Sequence, residues 1–307
     1  MKARTPKKSR FRLYLSSLRL ERWPRSLAML PGLVMAYLLF PVEARPALDL
    51  PLIAKGALAF FLAWAVSTIN YIINEITDAP FDAHHPTKRH RPLVTREISR
   101  SILVVIGLAL GISAGVLAFL VFDWRFNAAL LLLLVQGTLY NIKPFRMKDI
   151  PYVDSTLEST NNPIRFLIGW YVVGASFPPV SMLLSWWAFG NFLMIGKRVA
   201  EKKFLTREQA EAYRLSLKKY SLTGLIAFMI ANAAAFLSTY VWFALAYGRY
   251  VLLYVLPGIL GYLVIFIYIS IRKRDTAEEP EKLLRNPFFA LFTLVLVALI
   301  ILAFLPL

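Results

Sequence analysis

Long apolar stretches dominate this chain of 307 residues and restrict what it can fold into. Hydrophobic residues make up 58% of it and charged residues 17%, whereas a water-soluble domain carries about a quarter charged residues. Such a chain has too little polar surface to face water on all sides, so we expect an integral membrane protein. The sequence contains no cysteine, which excludes disulfides, thiolate metal sites and a cysteine nucleophile.

Nine stretches are apolar over enough residues to form membrane-spanning helices, which need about 20 residues each. They lie near residues 26–42, 52–73, 101–122, 126–142, 163–179, 181–199, 221–244, 250–271 and 287–306. The sequence carries no strand signals. It therefore predicts an all-α integral membrane protein, a bundle of nine transmembrane helices.

The basic residues test this division of the chain, because cytoplasmic segments of membrane proteins are enriched in Lys and Arg. With the N-terminus in the cytoplasm and nine alternating spans, 31 of the 35 basic residues fall on the inner side. The exceptions are Arg45, Lys55, Arg125 and Arg249. The net charge of +17 thus reflects topology, and no nucleic-acid partner is needed to explain it.

Two acidic groups on the predicted inner side are not explained by topology. Asp78 and Asp82 follow the second span, and Asp154 and Glu158 precede the fifth. Each pair is spaced i,i+4, which places two like charges on one helix face, where they repel. Hard divalent cations require such oxygen ligands. The alternative is that these are solvated loop acids that balance nearby Lys and Arg.

Basic residues accompany both acidic groups, as expected for a site that binds a metal and a pyrophosphate. Lys88, Arg89 and Arg91 follow the first group, and Lys197 and Arg198 end the sixth span. Ordinary positive-inside charge, or a salt-bridged helix end, would also account for them. Further candidates for a phosphate pocket flank the second acidic group: Tyr140, Lys143, Asn161, Asn162 and Arg165.

The two acidic groups resemble the Asp-rich motifs of the UbiA superfamily of intramembrane transferases. The family motif N-D-x-x-D-x-x-x-D is matched by Asn74, Glu75, Asp78 and Asp82, and D-x-x-x-D by Asp154 and Glu158. Glu replaces Asp at two positions and keeps the carboxylate. The resemblance implies a nine-helix bundle that binds Mg²⁺ and a diphosphate at its cytoplasmic side. All six residues are then expected to be metal ligands, and Asp78, Asp82, Asp154 and Glu158 to be catalytic.

Within this superfamily, the runs 85–92 and 196–201 are similar to those of decaprenyl-phosphate phosphoribosyltransferases. This resemblance implies transfer of a 5-phosphoribosyl group from phosphoribosyl pyrophosphate to a polyprenyl phosphate, for cell-wall arabinan precursors. The residues expected to bind phosphate groups are Lys88, Arg89, Arg91, Tyr140, Lys143, Asn161, Arg165, Lys197 and Arg198.

The resulting organisation is a basic cytoplasmic tail, residues 1–25, followed by one transferase domain, residues 26–307. Active-site loops are expected near 74–100, 143–165 and 197–220. The expected partners are phosphoribosyl pyrophosphate, polyprenyl phosphate and membrane lipids, and homo-oligomerisation stays open. The expected location is the bacterial inner membrane, with the active site facing the cytoplasm.

Two alternative functions stay open. The first keeps the metal site but moves a prenyl group from a prenyl diphosphate to an aromatic or other small acceptor. The second is an ion-coupled transporter, since ionisable groups at helix ends can line an ion path. The charges lie on one side of the bundle only, which argues against inverted transporter repeats.

Overall fold

The computed structural model describes residues 9–40, 45–83, 88–204, 215–272 and 286–304, and these ranges are helical without any β-strand. The α-helices, numbered in chain order, are α1 Arg10–Leu18, α2 Leu30–Leu39, α3 Leu50–Asp82, α4 Arg100–Val121, α5 Trp124–Asn141, α6 Val153–Ser159, α7 Asn161–Tyr171, α8 Val180–Phe204, α9 Leu215–Lys219, α10 Leu222–Ala246, α11 Leu256–Arg272 and α12 Pro287–Phe304. Short 3₁₀ segments are Leu20–Met29, Lys88–His90, Met147–Asp149 and Tyr250–Val255. The all-α prediction is confirmed.

Polar residues beside the apolar runs start several helices. The Asp49 carboxylate accepts a hydrogen bond of 3.0 Å from the Leu52 amide at the start of α3. Asp123 accepts one of 3.0 Å from the Phe126 amide at the start of α5. Capping by a side-chain oxygen satisfies a backbone donor that the helix itself leaves unpaired. Asp49 and Asp123 therefore have a structural role as helix caps.

Within the described ranges, five helical segments are long and apolar enough to cross a membrane: Leu50–Asp82, Arg100–Val121, Leu222–Ala246, Tyr250–Arg272 and Pro287–Phe304. Helical residues also lie in the other four predicted spans. The count of nine spans and the cytoplasmic N-terminus stay predictions.

Two predicted boundaries change. The second span was expected to end at residue 73, but α3 continues to Asp82 and carries the first acidic group on its last turns. The fifth span was expected to reach residue 179, but α7 ends at Tyr171. Gly174 follows in the left-handed region with φ +72°, and α8 begins directly after Pro179. The two helices are therefore joined by residues 172–179, which end in two prolines.

The buried side chains form two main clusters, one in each half of the bundle. One lies among α2, α3, α5 and α7, and the other among α8, α10, α11 and α12. Many large apolar side chains point outward, including Leu108, Ile112 and Phe119 on α4. Outward apolar faces suit a lipid surrounding, and the bundle interior is where the charged residues meet.

Candidate active site

The first acidic group occupies the last turns of α3, beyond its most apolar part. Asn74, Asp78 and Asp82 follow one another at intervals of four, so they share one face of the helix. Glu75 is displaced from that face and is buried, with 4% of its surface exposed. The position of this group depends on α3 continuing past its apolar segment.

A lysine ammonium lies at the centre of the first group. Lys148 Nζ is 2.5 Å from Asp78 Oδ1, 3.0 Å from Asn74 Oδ1 and 3.0 Å from Asn141 Oδ1. Burial lowers the pKa of the Lys148 ammonium to about 8, against the opposing effect of the Asp78 carboxylate. Three side-chain oxygens from α3 and α5 therefore converge on one cation.

Arg146 supports the same carboxylate from the side. Its Nη2 is 3.0 Å from Asp78 Oδ1, and its Nε is 2.8 Å from Asp149 Oδ2. The guanidinium carbon lies 4.2 Å from the centre of the Phe81 ring, a distance at which cation and ring attract. Lys143 also approaches this ring, with Nζ 5.8 Å from its centre.

The remaining acids of α3 pair with arginines. Arg91 Nη1 lies 2.6 Å from Asp82 Oδ2 and 3.4 Å from Glu75 Oε2. Arg19 Nη2 lies 3.0 Å from the same Glu75 oxygen. The predicted mixture of acids and basic residues around the first motif is therefore present in the fold. Of the similar run 85–92, residues 85–87 lie outside the described residues.

The second acidic group surrounds one buried arginine. Arg198 is 1% exposed, and its three nitrogens are directed at three carboxylates. Nε lies 3.0 Å from Asp154 Oδ2, Nη2 lies 3.2 Å from Glu158 Oε2, and Nη1 lies 2.8 Å from Glu201 Oε2. The guanidinium thus links α6 to α8.

Asp154 is fully buried, and both of its oxygens are hydrogen bonded within the protein. Tyr220 donates its hydroxyl proton to Oδ1, and Ser216 donates to Oδ2 over 3.1 Å. The Tyr220 hydroxyl also accepts a hydrogen bond of 2.7 Å from the Tyr152 amide. Burial, and then the Asp154 charge, raise the pKa of Tyr220 above its ordinary value. Asp154 therefore holds neighbouring side chains in place.

The C-terminal turn of α5 joins the two acidic groups. Tyr140 donates its hydroxyl to Glu158 Oε2 over 3.1 Å, and the next residue, Asn141, holds Lys148. Consecutive residues of one helix thus contact the second motif and the cation of the first. Both motifs lie at the same end of the bundle.

Other predicted residues occupy more peripheral positions. Asn161 donates to the backbone oxygen of Glu158 over 2.9 Å, and Lys197 Nζ lies 4.0 Å from Glu201 Oε1. Lys88 and Arg89 lie on the short 3₁₀ turn after α3. Arg89 Nε donates to the His90 ring over 3.3 Å, and among the described residues it makes no ion pair.

Arg165 lies deeper in the bundle than the other basic residues. It is 8% exposed, and its Nη2 donates to Ser67 Oγ over 3.1 Å. Ser67 precedes Asn74 by seven residues on α3, which is about 10 Å along the helix axis. Arg165 therefore lies apart from the acidic residues at the end of α3.

Several site residues were not predicted individually. Arg146 and Lys148 were counted only as positive-inside charge, and Asn141, Ser216 and Tyr220 were not considered. The one signal in the sequence is the position of the two cations, within eight residues before Asp154. Their ion-pair partners on α3 are 68 and 70 residues away in the chain.

The donor atoms fit a magnesium ion. Asn74, Asp78 and Asn141 direct oxygens at one cation, and Mg²⁺ takes oxygen ligands. In the part of the chain that the structure describes, no three His, Cys, Asp or Glu side chains are grouped to hold a metal by themselves. Magnesium is commonly bound through one or two carboxylates, with waters and substrate phosphates completing the shell. The site suits that open arrangement.

The sequence profile of the UbiA prenyltransferase family matches residues 29–296. The chain belongs to the UbiA prenyltransferase family. It is therefore a membrane transferase by family, which favours the transferase predictions over the transporter.

Curated relatives carry a more specific name. A decaprenyl-phosphate phosphoribosyltransferase of Mycobacterium tuberculosis is 28% identical over 173 residues, which are 56% of this chain and 55% of the relative. One from Corynebacterium glutamicum is 27% identical over 247 residues, 78% of this chain and 70% of the relative. The chain thus spans about half the length of the mycobacterial relative that it matches.

Solved UbiA structures share the fold. A UbiA homolog from Archaeoglobus fulgidus bound to GPP and Mg²⁺ superimposes with a TM-score of 0.68 at 19% identity, over 95% of this chain and 99% of that one. A digeranylgeranylglyceryl phosphate synthase gives a TM-score of 0.65 at 17% identity, over 96% and 97%. The resemblance to the UbiA fold predicted from the two motifs is confirmed.

Proposed function

We propose that this UbiA-family protein transfers a 5-phosphoribosyl group from phosphoribosyl pyrophosphate to a polyprenyl phosphate and releases pyrophosphate. The observation that carries the proposal is the set of basic side chains gathered on the two acidic motifs. Arg91, Arg146, Lys148 and Arg198 all contact motif carboxylates. Arginine and lysine side chains that face carboxylates also form strong hydrogen bonds to phosphate oxygens. The names of the mycobacterial and corynebacterial relatives agree with it.

Asn74, Asp78, Asp82 and Glu158 would hold Mg²⁺ together with the donor diphosphate. Bound there, the ion would neutralise the negative charge that develops on the leaving pyrophosphate. The A. fulgidus homolog bound to GPP and Mg²⁺ supports a divalent metal in this fold. Glu75 and Asp154 are also candidate ligands by motif. Because Glu75 pairs with Arg19 and the fully buried Asp154 pairs with Arg198, we assign these two acids mainly to positioning those arginines.

The basic side chains supply the electrostatic part of the catalysis. Lys148 and Arg146 both contact Asp78, at the place where the diphosphate would bind. When the donor binds, these two cations can exchange the Asp78 carboxylate for a phosphate oxygen, so both stay paired with a negative charge. The residues at the rim that would bind the sugar 5-phosphate are Lys88, Arg89, Arg91 and Lys197. Tyr140, Lys143 and Asn161 line the same end of the bundle.

The reaction needs no protein nucleophile. An oxygen of the lipid phosphate, already ionised near neutral pH, attacks the anomeric carbon of the ribose. The bond between that carbon and the diphosphate oxygen breaks, and pyrophosphate leaves with the electron pair. The protein's part is to hold two anions close together in the correct orientation.

The proposal includes the location of the reaction. We place the whole of residues 26–307 in one transferase domain, in the inner membrane of a bacterium, with both motifs at the cytoplasmic side. Phosphoribosyl pyrophosphate is a water-soluble donor, so it would reach the site from the cytoplasm. The polyprenyl tail would lie among the apolar faces of the bundle.

The direct test uses purified protein, Mg²⁺, radiolabelled phosphoribosyl pyrophosphate and polyprenyl phosphate. We expect label to appear in the lipid fraction, and Asp78→Asn to reduce its formation at least a hundredfold. Asp123→Asn is the matched control, because Asn also caps helices well and this residue lies in the turn between α4 and α5. Full turnover in the Asp78 variant would contradict the metal assignment.

A second candidate is prenyl transfer to a small acceptor. The shared fold with a homolog bound to GPP favours it. To test it, a prenyl diphosphate and a small acceptor are added to the same assay. If the prenyl diphosphate is consumed while the phosphoribosyl label stays in the aqueous phase, this alternative is established and our proposal is excluded.

A further inference from the structure

Arg165 is a buried cation with no counter-ion among the residues that the structure describes. Only 8% of its surface is exposed, and Ser67 Oγ is its hydrogen-bond acceptor at 3.1 Å. Its Nε is shielded from solvent and has no acceptor among the residues that the structure describes. Nor does any carboxylate in the described ranges come within ion-pair distance of it.

Arg198 shows how the same fold treats a structural arginine. It is 1% exposed, and each of its three nitrogens donates to a carboxylate. A buried charge is costly unless it is paired and hydrogen bonded. Within the described ranges, these two buried arginines therefore differ in their partners: Arg198 has three carboxylates and Arg165 has none. We expect a ligand to provide that anion.

The surroundings of Arg165 strengthen this expectation. Arg25, on the 3₁₀ segment that precedes α2, is close enough for its positive charge to act on Arg165. That segment packs against α7, which carries Arg165. An ionisable side chain inside the membrane part of a protein usually marks a functional site. The ligand that fits is a phosphate group.

The depth of this position distinguishes the two substrates. About 20 helical residues cross the hydrocarbon core, and the second span predicted from the sequence, 52–73, puts the boundary near residue 73. At a rise of about 1.5 Å per residue, Ser67 lies about 9 Å on the lipid side of that boundary, and Arg165 with it. Asn74 and Asp82 lie roughly 2 to 14 Å beyond it. A lipid phosphate is found at the boundary, whereas a soluble donor arrives from beyond it.

We propose that Arg165, assisted by Ser67, binds the phosphate of the polyprenyl phosphate acceptor. The cations around the α3 motif, Arg91, Arg146 and Lys148, then serve the donor. This assignment rests on the proposed function and adds which phosphate is bound where. It also explains why one cation is buried without a carboxylate while the others are paired: its counter-ion is the lipid.

The test is direct binding to purified protein in detergent, with no turnover required. Polyprenyl phosphate, the corresponding polyprenol and phosphoribosyl pyrophosphate with Mg²⁺ are titrated separately against wild type and Arg165→Gln. Loss of a hydrogen-bonded charge pair predicts polyprenyl phosphate binding about ten- to hundredfold weaker. Binding of polyprenol and of the donor should change less than about threefold. Arg125→Gln, near the start of α5, is the control and should bind all three as wild type does.

Each other outcome has a defined meaning. Unchanged polyprenyl phosphate binding in Arg165→Gln overturns the inference. Loss of donor binding with intact lipid binding overturns it too, and moves Arg165 to the donor site. If wild type binds polyprenyl phosphate but not the donor, the proposed function fails while the Arg165 comparison still holds. If Arg165→Gln does not fold, Ser67→Ala replaces it, with an expected severalfold loss of lipid binding; unchanged binding there refutes the inference.

Discussion

Replacement of Tyr220 by Phe removes one oxygen from the centre of the second acidic group. That hydroxyl donates to Asp154 Oδ1 and accepts from the Tyr152 amide over 2.7 Å. The ring itself makes an edge-to-face contact with the Tyr152 ring, with centroids 4.9 Å apart. Phe keeps that contact, so the substitution isolates the two hydrogen bonds.

The expected loss follows from what is left without a partner. A hydrogen bond to a charged group contributes about 1.5–3 kcal/mol, and a buried polar group deprived of its partner costs about 1–3 kcal/mol. Asp154 is fully buried, so water does not replace the hydroxyl. Its other oxygen keeps Arg198 and Ser216. We therefore expect Tyr220→Phe to lower the free energy of unfolding by about 3–4 kcal/mol.

Tyr240→Phe is the matched control. Tyr240 is 8% exposed, and its hydroxyl donates a single hydrogen bond of 3.0 Å to the uncharged backbone oxygen of Leu252. Its loss should cost about 1 kcal/mol. Both free energies are measured by denaturant unfolding of the purified protein in detergent micelles, followed by tryptophan fluorescence. If the Tyr220 variant is no less stable than the Tyr240 variant, the conclusion that Asp154 is buried and held in place by Tyr220 is wrong.

Three further predictions test the packing, the buried charge and the metal. Gly169→Ala should lower the free energy of unfolding by about 2–3 kcal/mol, as overpacking of a core does, because the added Cβ would lie 1.9 Å from a backbone oxygen. Gly115→Ala should stabilise slightly, because nothing lies within contact distance of its added Cβ. Equal melting temperatures of the two variants would contradict this prediction. Arg198→Met should cost about 3–5 kcal/mol in the same unfolding assay, since it strands buried carboxylates. Mg²⁺ with pyrophosphate should raise the melting temperature of wild type and of Asp123→Asn, but not of Asp82→Asn.

Much of the site was predictable because it depends on local sequence. The spacing of Asn74, Asp78 and Asp82 sets one helix face wherever that helix lies. The pairing of Arg198 with Glu201 at i,i+3 follows in the same way. The predicted end of the second span was wrong, because α3 continues beyond it. Residues 74–82 mix polar and apolar side chains and include Pro80, so no apolar pattern shows that they continue the helix.

The sequence could not show which basic residue pairs with each acid. Lys148 could have been one more positive-inside residue, yet its ammonium contacts Asn74 and Asp78, which lie 74 and 70 positions earlier in the chain. Arg165 and Arg198 read alike along the chain, as basic residues beside apolar runs. Only the fold gives one of them three carboxylates and leaves the other with a serine.

The sequence by itself determined an all-α membrane protein of UbiA type and the two acidic motifs. It could do so because hydrophobic runs and i,i+4 spacing are local properties of the chain. The tertiary structure alone decided which cation contacts which carboxylate, that Asp154 is fully buried, and that Arg165 has no acid beside it in the described part of the chain. Those outcomes depend on how helices that are distant in the sequence pack together. A buried charge without a partner is costly, so the partner that packing gives to each charge affects stability strongly.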